Sequence, residues 1–325
     1  MLNRVFILLL LFGISAHLSA SQIDILTSYR LNGIKDIEKK LDKELGNTKY
    51  WNSYLKNKNT QFGYIESYPN ILVCNKSKSE LSLYVKDKNN SYILKRDYSA
   101  YTGKEKGDKQ YEGDLRTPNG VYNLVKKVEK LDSFYGPLAF VTSYPNLYDR
   151  YKGKTGKGIW IHGLPINQSR DEFTKGCIAI NNNNIECLNR DINISKTLLI
   201  INESKLKQNI TKQTLATILA QLYKWRYAWI YNDLQTYLNF YSENFIRFDG
   251  MDIKQFSMYK KRIFSKNETK TIIFTDINII PYPGEKNTFK ITFNEQYKSS
   301  SFAFNGDKVL IAKLQDNTIK ILTEQ

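Results

Sequence analysis

The chain has 325 residues, 41% of them hydrophobic, and a formal net charge of +16. That length holds two folded domains of about 100–200 residues each, and no low-complexity tract indicates disorder. With two histidines, three cysteines and no Cys-x-x-Cys pair, a histidine-rich zinc site is excluded, so metal-dependent peptidase chemistry is not expected. No motif accompanies the positive charge that would make nucleic acid a partner. An anionic envelope polymer or a membrane surface fits it better.

In chain order, "MLNRVFILLLLFGISAHLSAS" sets Arg4 before an apolar run from Val5 to Ile14 and ends in Ser19, Ala20 and Ser21. This is the pattern of a secretory signal peptide, expected over residues 1–20 and cleaved near Ala20 or Ser21, with an uncleaved anchor as the alternative. It implies export to the periplasm. His17 leaves with it, and His162 remains as the one histidine of the mature chain.

Residues 21–66 read as a helical segment. Ile34, Ile37, Leu41 and Leu45 recur at helical spacing, Gly46-Asn47 stops the run, and "YWNSYL" supplies a second short apolar element. So small a segment buries no core alone, so its partner is the next domain or another protomer, and a homodimer through these helices is left open. From 67 to 204 the pattern turns to strands, with Leu81, Leu83 and Val85 on one face and a Pro-Asn-Gly turn in "RTPNGVYNLV". In "GIWIHG" Trp160 and His162 share a face, because side chains alternate along a strand. From 205 to 325 a helical stripe (Leu215, Ile218, Leu222, Trp225, Trp229, continued by Tyr237, Phe240 and Tyr241) precedes a run of strands from Lys270. The stripe reads as core, and the fold class as α+β throughout.

The chemistry concentrates at His162 and Cys177. A thiol needs a base or a positive field to become a nucleophile. The only available imidazole lies fifteen positions before a Gly-Cys turn, close enough for a loop to bring the two together. Gly176 allows a tight turn, the amides of Gly176 and Cys177 are candidate oxyanion donors, and the Thr174 hydroxyl can brace the turn. Cys74, in the strand "ILVC", and Cys187, beside Ile185, Leu188 and Ile192 on a helix, read as buried structural residues, with a Cys74–Cys187 disulfide as the alternative. "DINIS" fits both an acidic glycosylation sequon at Asn193 and an Asx turn at a helix end.

The surrounding motifs carry a resemblance. "HG" at His162-Gly163 followed by "TKGC" at Thr174–Cys177 resembles the YkuD-type L,D-transpeptidase domain. "GDLRTPNGVY" resembles that family's Thr-Pro-x-Gly turn, and "SYPNLYDR" its YafK-like branch. The four motifs are collinear over residues 68–203. "WRYAWIYNDLQTYLNFYS" and "YKKRIF" resemble a nuclear-transport-factor-2-like (NTF2-like) module, and the whole layout is similar to the L,D-carboxypeptidases that set cell shape in helical bacteria.

The resemblance implies that Cys177 attacks the diaminopimelate carbonyl of a peptidoglycan tetrapeptide stem, with His162 as base and then acid. The Gly163 carbonyl orients the imidazole, the Gly176 and Cys177 amides hold the oxyanion, a tripeptide stem remains, and no cofactor or metal is needed. Ala179 departs from the family's common Arg or Asn two residues after the cysteine, which favours hydrolysis over transfer to an amine. A free substrate carboxylate calls for a cation. Arg116 ranks first, then Lys109 and Lys175, with Thr174 and Tyr144 completing the expected substrate contacts. Alternatives are a transpeptidase, a hydrolase releasing wall-linked protein, or a non-catalytic wall-binding scaffold. A glycan or protein partner of the C-terminal domain is left open.

Overall fold

The structure, a computed structural model, describes residues 20–167, 169, 171–204 and 210–325. The expected signal peptide lies outside them apart from its last residue. Among the described residues no helix is long and apolar enough to cross a membrane. The chain divides into two compact units, residues 1–44 and 45–325.

The first unit holds α1 (Ala20–Asn32) and most of α2 (Ile34–Leu45). The Ser28 hydroxyl donates to Asp36 at 2.9 Å, and Lys40 pairs with Asp36 one turn away at 2.8 Å. Of the apolar stripe on α2, Ile37 is buried, while Ile34 and Leu41 are exposed along with Ile25, Leu26, Tyr29 and Leu31 of α1.

The second unit opens with α3 (Thr48–Leu55), where Asn47 does more than stop α2: its side chain accepts the Lys49 amide at 3.0 Å and caps the next helix. The helix buries Trp51 against the C-terminal domain. Its indole stacks on Tyr223 with ring centroids 5.2 Å apart, and its N–H donates to the Leu45 carbonyl at 2.7 Å. Strand β1 (Tyr64–Ile65) follows. A Cβ on Gly63 would sit 2.1 Å from the Ile279 carbonyl oxygen, and φ there is +110°, so only glycine permits this approach.

Eight strands then close a barrel: β2 (Asn70–Asn75), β3 (Glu80–Lys86), β4 (Tyr92–Tyr101), β5 (Gly120–Glu129), β6 (Leu138–Thr142), β7 (Trp160–His162), β8 (Ile178–Ile180) and β9 (Thr197–Asn202). Helices α4 (Leu147–Tyr151) and α5 (Asn182–Asp191) join the series. Around the barrel the order is β2-β3-β4-β8-β7-β6-β5-β9, and β9 closes it by pairing parallel to β2. The interior is filled by alternate residues such as Leu72, Leu81, Leu83, Tyr122, Phe140, Ile161 and Ile178.

Cys74 is sealed inside this core, and burial pushes its thiol up to about 12. Cys187 is half-exposed on α5 and accepts from Arg190 at 3.0 Å. Both are free, which corrects the disulfide alternative, and the exposure of Cys187 corrects its reading as a core residue. Asn193 forms an Asx turn, its side chain accepting the Ser195 amide at 3.1 Å.

In the C-terminal domain α6 (Lys212–Ile230), α7 (Leu234–Leu238) and α8 (Ile253–Phe264) cover a sheet of β10 (Thr271–Pro281), β11 (Thr288–Lys298), β12 (Ala303–Gln315) and β13 (Thr318–Glu324). Thr211, Asp233 and Asp252 cap the three helices. The sheet has a fifth strand, β1, which pairs antiparallel with β10 (Tyr64 opposite Ile279) and lies outermost. The aromatic stripe is core as expected, with Trp225 and Tyr237 fully buried. Trp229 also reaches a cavity of about 640 Å³ lined by Arg247, Tyr259, Lys260, Glu295 and Glu324 among others.

A polar seam joins barrel and sheet. The Asn146 amide donates to the Val121 carbonyl at 3.1 Å and to the Tyr282 hydroxyl at 3.0 Å. Lys290, buried and with its pKa lowered to about 8 by that burial, also donates to Val121 at 3.2 Å.

Candidate active site

Strands β7 and β8 are three residues each and run parallel, with His162 opposite Ala179. Cys177 immediately precedes β8, and its side chain opens on the same cavity as the imidazole. His162, Cys177, Thr174 and Lys175 line one cavity of about 520 Å³, together with Phe134, Tyr135, Asp171 and Phe173.

The imidazole is 1% exposed, and its Nδ1 lies 2.6 Å from the Gly163 carbonyl oxygen. A carbonyl only accepts, so Nδ1 carries the hydrogen and the neutral ring keeps Nε2 as its proton acceptor. The same peptide unit is gripped from its other edge, where the Leu164 amide donates to Asn182 Oδ1 at 2.7 Å. A Cβ on Gly163 would lie 2.3 Å from that oxygen and 2.9 Å from Pro137. Tyr135 meets the imidazole edge-on, with centroids 5.1 Å apart and planes at 84°.

The Cys177 thiol donates toward the Gly158 carbonyl at 3.6 Å. Thr174 braces the turn as expected, its Oγ1 accepting the Gly176 amide at 3.0 Å and donating to the Cys177 carbonyl at 2.7 Å. This corrects the two-amide oxyanion expectation. The Gly176 N–H is bonded inside the turn, so of that pair the Cys177 N–H is the one that the Thr174 hydroxyl does not take. Gly176 has φ +131°, and a Cβ there would be 2.9 Å from the Arg116 carbonyl.

The expected substrate contacts divide. Lys175 is exposed and lines the cavity, and Thr174 lines it from within the turn. Arg116 approaches through its backbone against Gly176, and its side chain is not in the cavity lining. Tyr144 is buried in the barrel core, edge-on to Tyr122 at 6.0 Å. Lys109 is also buried, and its ammonium lies 2.7 Å from Asp114 with side chains 4% and 1% exposed. A charge close to the motifs in sequence is thus a structural pair, as is Lys154, which bonds Asp149 and Asp108.

Asp114 also accepts the amides of Gln110, Tyr111 and Arg116. Burial opposes its ionisation, but the Lys109 bond and these amides outweigh it and hold the pKa at about 2. A depressed carboxylate stabilises the fold above its unfolded pKa of about 3.9, and that contribution is lost as pH falls through the folded value. Lys109→Ala is expected to cost about 3 kcal/mol, because it strands a buried carboxylate. KM and kcat should stay within about twofold, since no atom leaves the cavity. Thermal melts at pH 7 and pH 2.5 test this, with the gap between variant and wild type narrowing in acid.

Sequence reasoning missed Phe134, Tyr135 and Asn182. The first two sit in a 3-10 turn, Ser133–Tyr135, capped by Asp132. The readable signal was an Asp-Ser cap ahead of two aromatics and Gly136-Pro137. Asn182 was hidden in a run of four asparagines.

Residues 69–201 match the L,D-transpeptidase catalytic domain and residues 217–325 the Cds6 C-terminal NTF2-like domain. The helical cell shape determining protein Pgp2 of Campylobacter jejuni is 41% identical, and its crystal structure superposes with a TM-score of 0.79 over 86% of this chain and 100% of its own. Bd1075 of Bdellovibrio bacteriovorus is 27% identical, with a TM-score of 0.64 over 79% of this chain and 92% of its own. YafK of Escherichia coli, named as an L,D-transpeptidase, is 36% identical over 113 residues, which make up 34% of this chain and 42% of YafK. With Pgp2 matched along its full length and the catalytic and C-terminal domains each matched in turn, the chain belongs to the YkuD-type L,D-transpeptidase-fold family, alongside Pgp2.

Proposed function

We propose that the protein is a periplasmic peptidoglycan L,D-carboxypeptidase that removes the terminal D-alanine from tetrapeptide stems through a cysteine acyl-enzyme, and so influences cell shape. The observation that carries this reading is the pairing at the cavity. His162 has Nδ1 held by the Gly163 carbonyl, and Cys177, just ahead of β8, opens on the same cavity.

In this reading His162 Nε2 takes the thiol proton as Cys177 Sγ attacks the diaminopimelate carbonyl. The oxyanion is held by the Cys177 amide. As the tetrahedral species collapses, the C–N bond breaks and His162 gives its proton to the departing amine of D-alanine. Water then attacks the thioester and loses its proton to His162, and the thiol is regenerated with a tripeptide stem as product. Ala179 supports hydrolysis over transfer. It is fully buried and in register with both His162 and Tyr101, and its methyl side chain offers no polar group of its own to an acceptor amine.

Incubating the protein with disaccharide tetrapeptide and following products by mass tests the reading. Loss of one alanine supports it. Dimeric or amino-acid-exchanged muropeptides would instead show transpeptidation, and no turnover would favour the scaffold. Among the described residues that line the cavity, Lys175 is the cation that in this reading meets the terminal carboxylate. Lys175→Ala is expected to raise KM about three- to tenfold with little change in kcat, the scale of one solvent-exposed charge-assisted contact. Steady-state kinetics on tetrapeptide measures it, and an unchanged KM removes Lys175 from the site.

A further inference from the structure

Thr117 is absent from the cavity lining, yet its side chain grips the nucleophile's own peptide. The residue is 1% exposed. Its Oγ1 donates to the Gly176 carbonyl at 2.9 Å and accepts the Gly103 amide at 2.8 Å. With that N–H occupying a lone pair, the single hydroxyl hydrogen is committed to Gly176. The Thr117 backbone is fixed in turn. Its carbonyl accepts from the buried Lys76 ammonium at 2.8 Å, and Lys76 is paired with Glu203 at 2.7 Å.

A peptide unit is planar, with C=O and N–H on opposite edges. Holding the Gly176 carbonyl on the Thr117 side therefore turns the Cys177 N–H to the other edge, away from the buried threonine. Local sterics do not impose this. A glycine at φ +131° carries no Cβ, so the following peptide is free to rotate unless something outside holds it. The next carbonyl along, that of Cys177, is held by the Thr174 hydroxyl. Cys177 thus hangs between two threonine hydroxyls, one on each flanking peptide.

We infer that Thr117 is a positioning residue for transition-state stabilisation: its hydroxyl holds the Gly176–Cys177 peptide with the Cys177 N–H aimed where the attacked carbonyl oxygen gains charge. The inference deepens the acyl-transfer reading above and rests on it. It separates Thr117 from His162 in role, since one orients the oxyanion donor and the other activates the thiol.

Two reagents distinguish these roles. Iodoacetamide alkylates the Cys177 thiolate by displacement at a saturated carbon and forms no oxyanion. 4-Nitrophenyl acetate acylates it through a tetrahedral oxyanion. Alkylation is followed at Cys177 by peptide mass, and acylation as the nitrophenolate burst above that of Cys177→Ala. Thr117→Val keeps the shape and loses the hydroxyl. Alkylation is expected to stay within about twofold, while acylation, and kcat on tetrapeptide, fall about 10- to 100-fold with KM little changed. Thr117→Ser restores both.

A valine variant that acylates at the wild-type rate overturns the inference, and so does one that loses alkylation and acylation in equal proportion. Should that variant not fold, Thr117→Ser still decides. Its acylation-to-alkylation ratio stays at the wild-type value if the hydroxyl is the active feature, and a tenfold fall overturns the assignment. Because nitrophenyl acetate has no muropeptide character, a wild type that ignores tetrapeptide counts against the proposed substrate and not against Thr117.

Discussion

Cys177→Ala is expected to abolish D-alanine release, lowering turnover by about 10⁴-fold or more, because no other group can take over covalent catalysis. The other two thiols are no substitute. Cys74 is closed inside the barrel with its thiol pushed up to about 12, and Cys187 lies on α5 and is absent from the cavity lining. The fold should barely notice. Cys177 is half-exposed at the end of a turn whose bracing comes from Thr174 and Thr117, so the melting temperature is expected to move by no more than about 2 °C. Product masses and a thermal melt on the same preparation measure both, and residual turnover within a hundredfold of wild type would place the chemistry elsewhere.

His162→Gln is expected to lower turnover by about 10²–10⁴-fold, the usual range for loss of a positioned general base. The direction is set by the Gly163 contact. With Nδ1 committed to a carbonyl, Nε2 is the one ring atom able to accept the thiol proton, and glutamine offers no equivalent. The loss extends to reactions without an oxyanion, so iodoacetamide alkylation of Cys177 at pH 7 is also expected to slow, by about tenfold or more, as the thiolate fraction falls. A glutamine variant that alkylates at the wild-type rate would remove His162 from thiol activation. The two results together separate the base from the oxyanion support, because Thr117→Val should leave that same alkylation intact.

Much of this site is readable before any coordinates. Alternation along "GIWIHG" puts Trp160 and His162 on one face, and the Gly-Cys turn marks the one cysteine with a use for flanking amides. Both are local properties of a few residues, which is why they survive folding unchanged. The barrel's closure is different. β2 meets β9 through a parallel pairing of Asn70 with Thr197, and no local pattern selects a partner so far along the chain. The substrate cations failed for a related reason. Nearness to a motif in sequence says little about whether a lysine faces the cavity or a buried aspartate, although Asp114, five residues beyond Lys109, was visible as a partner. Asn182 acts through the far edge of a peptide unit, an effect that needs the fold before it has meaning.

The placement of β1 bears on how the two domains are connected. Because Tyr64–Ile65 forms the outer strand of the C-terminal sheet and α3 packs on α6, the chain begins that domain, leaves to build the whole barrel, and returns to finish it. The catalytic barrel is in effect an insertion, tethered covalently at both ends to one body. A single backbone cut between the barrel and either flank would therefore not release it. Truncation at residue 205 would strip the edge partner from β1 and the cover from Trp51, so neither half is a natural fragment. Bonds across the seam, Asn146 to Tyr282 and Lys290 to Val121, add to the two covalent connections, so the barrel is held to its host domain by contacts as well as by chain.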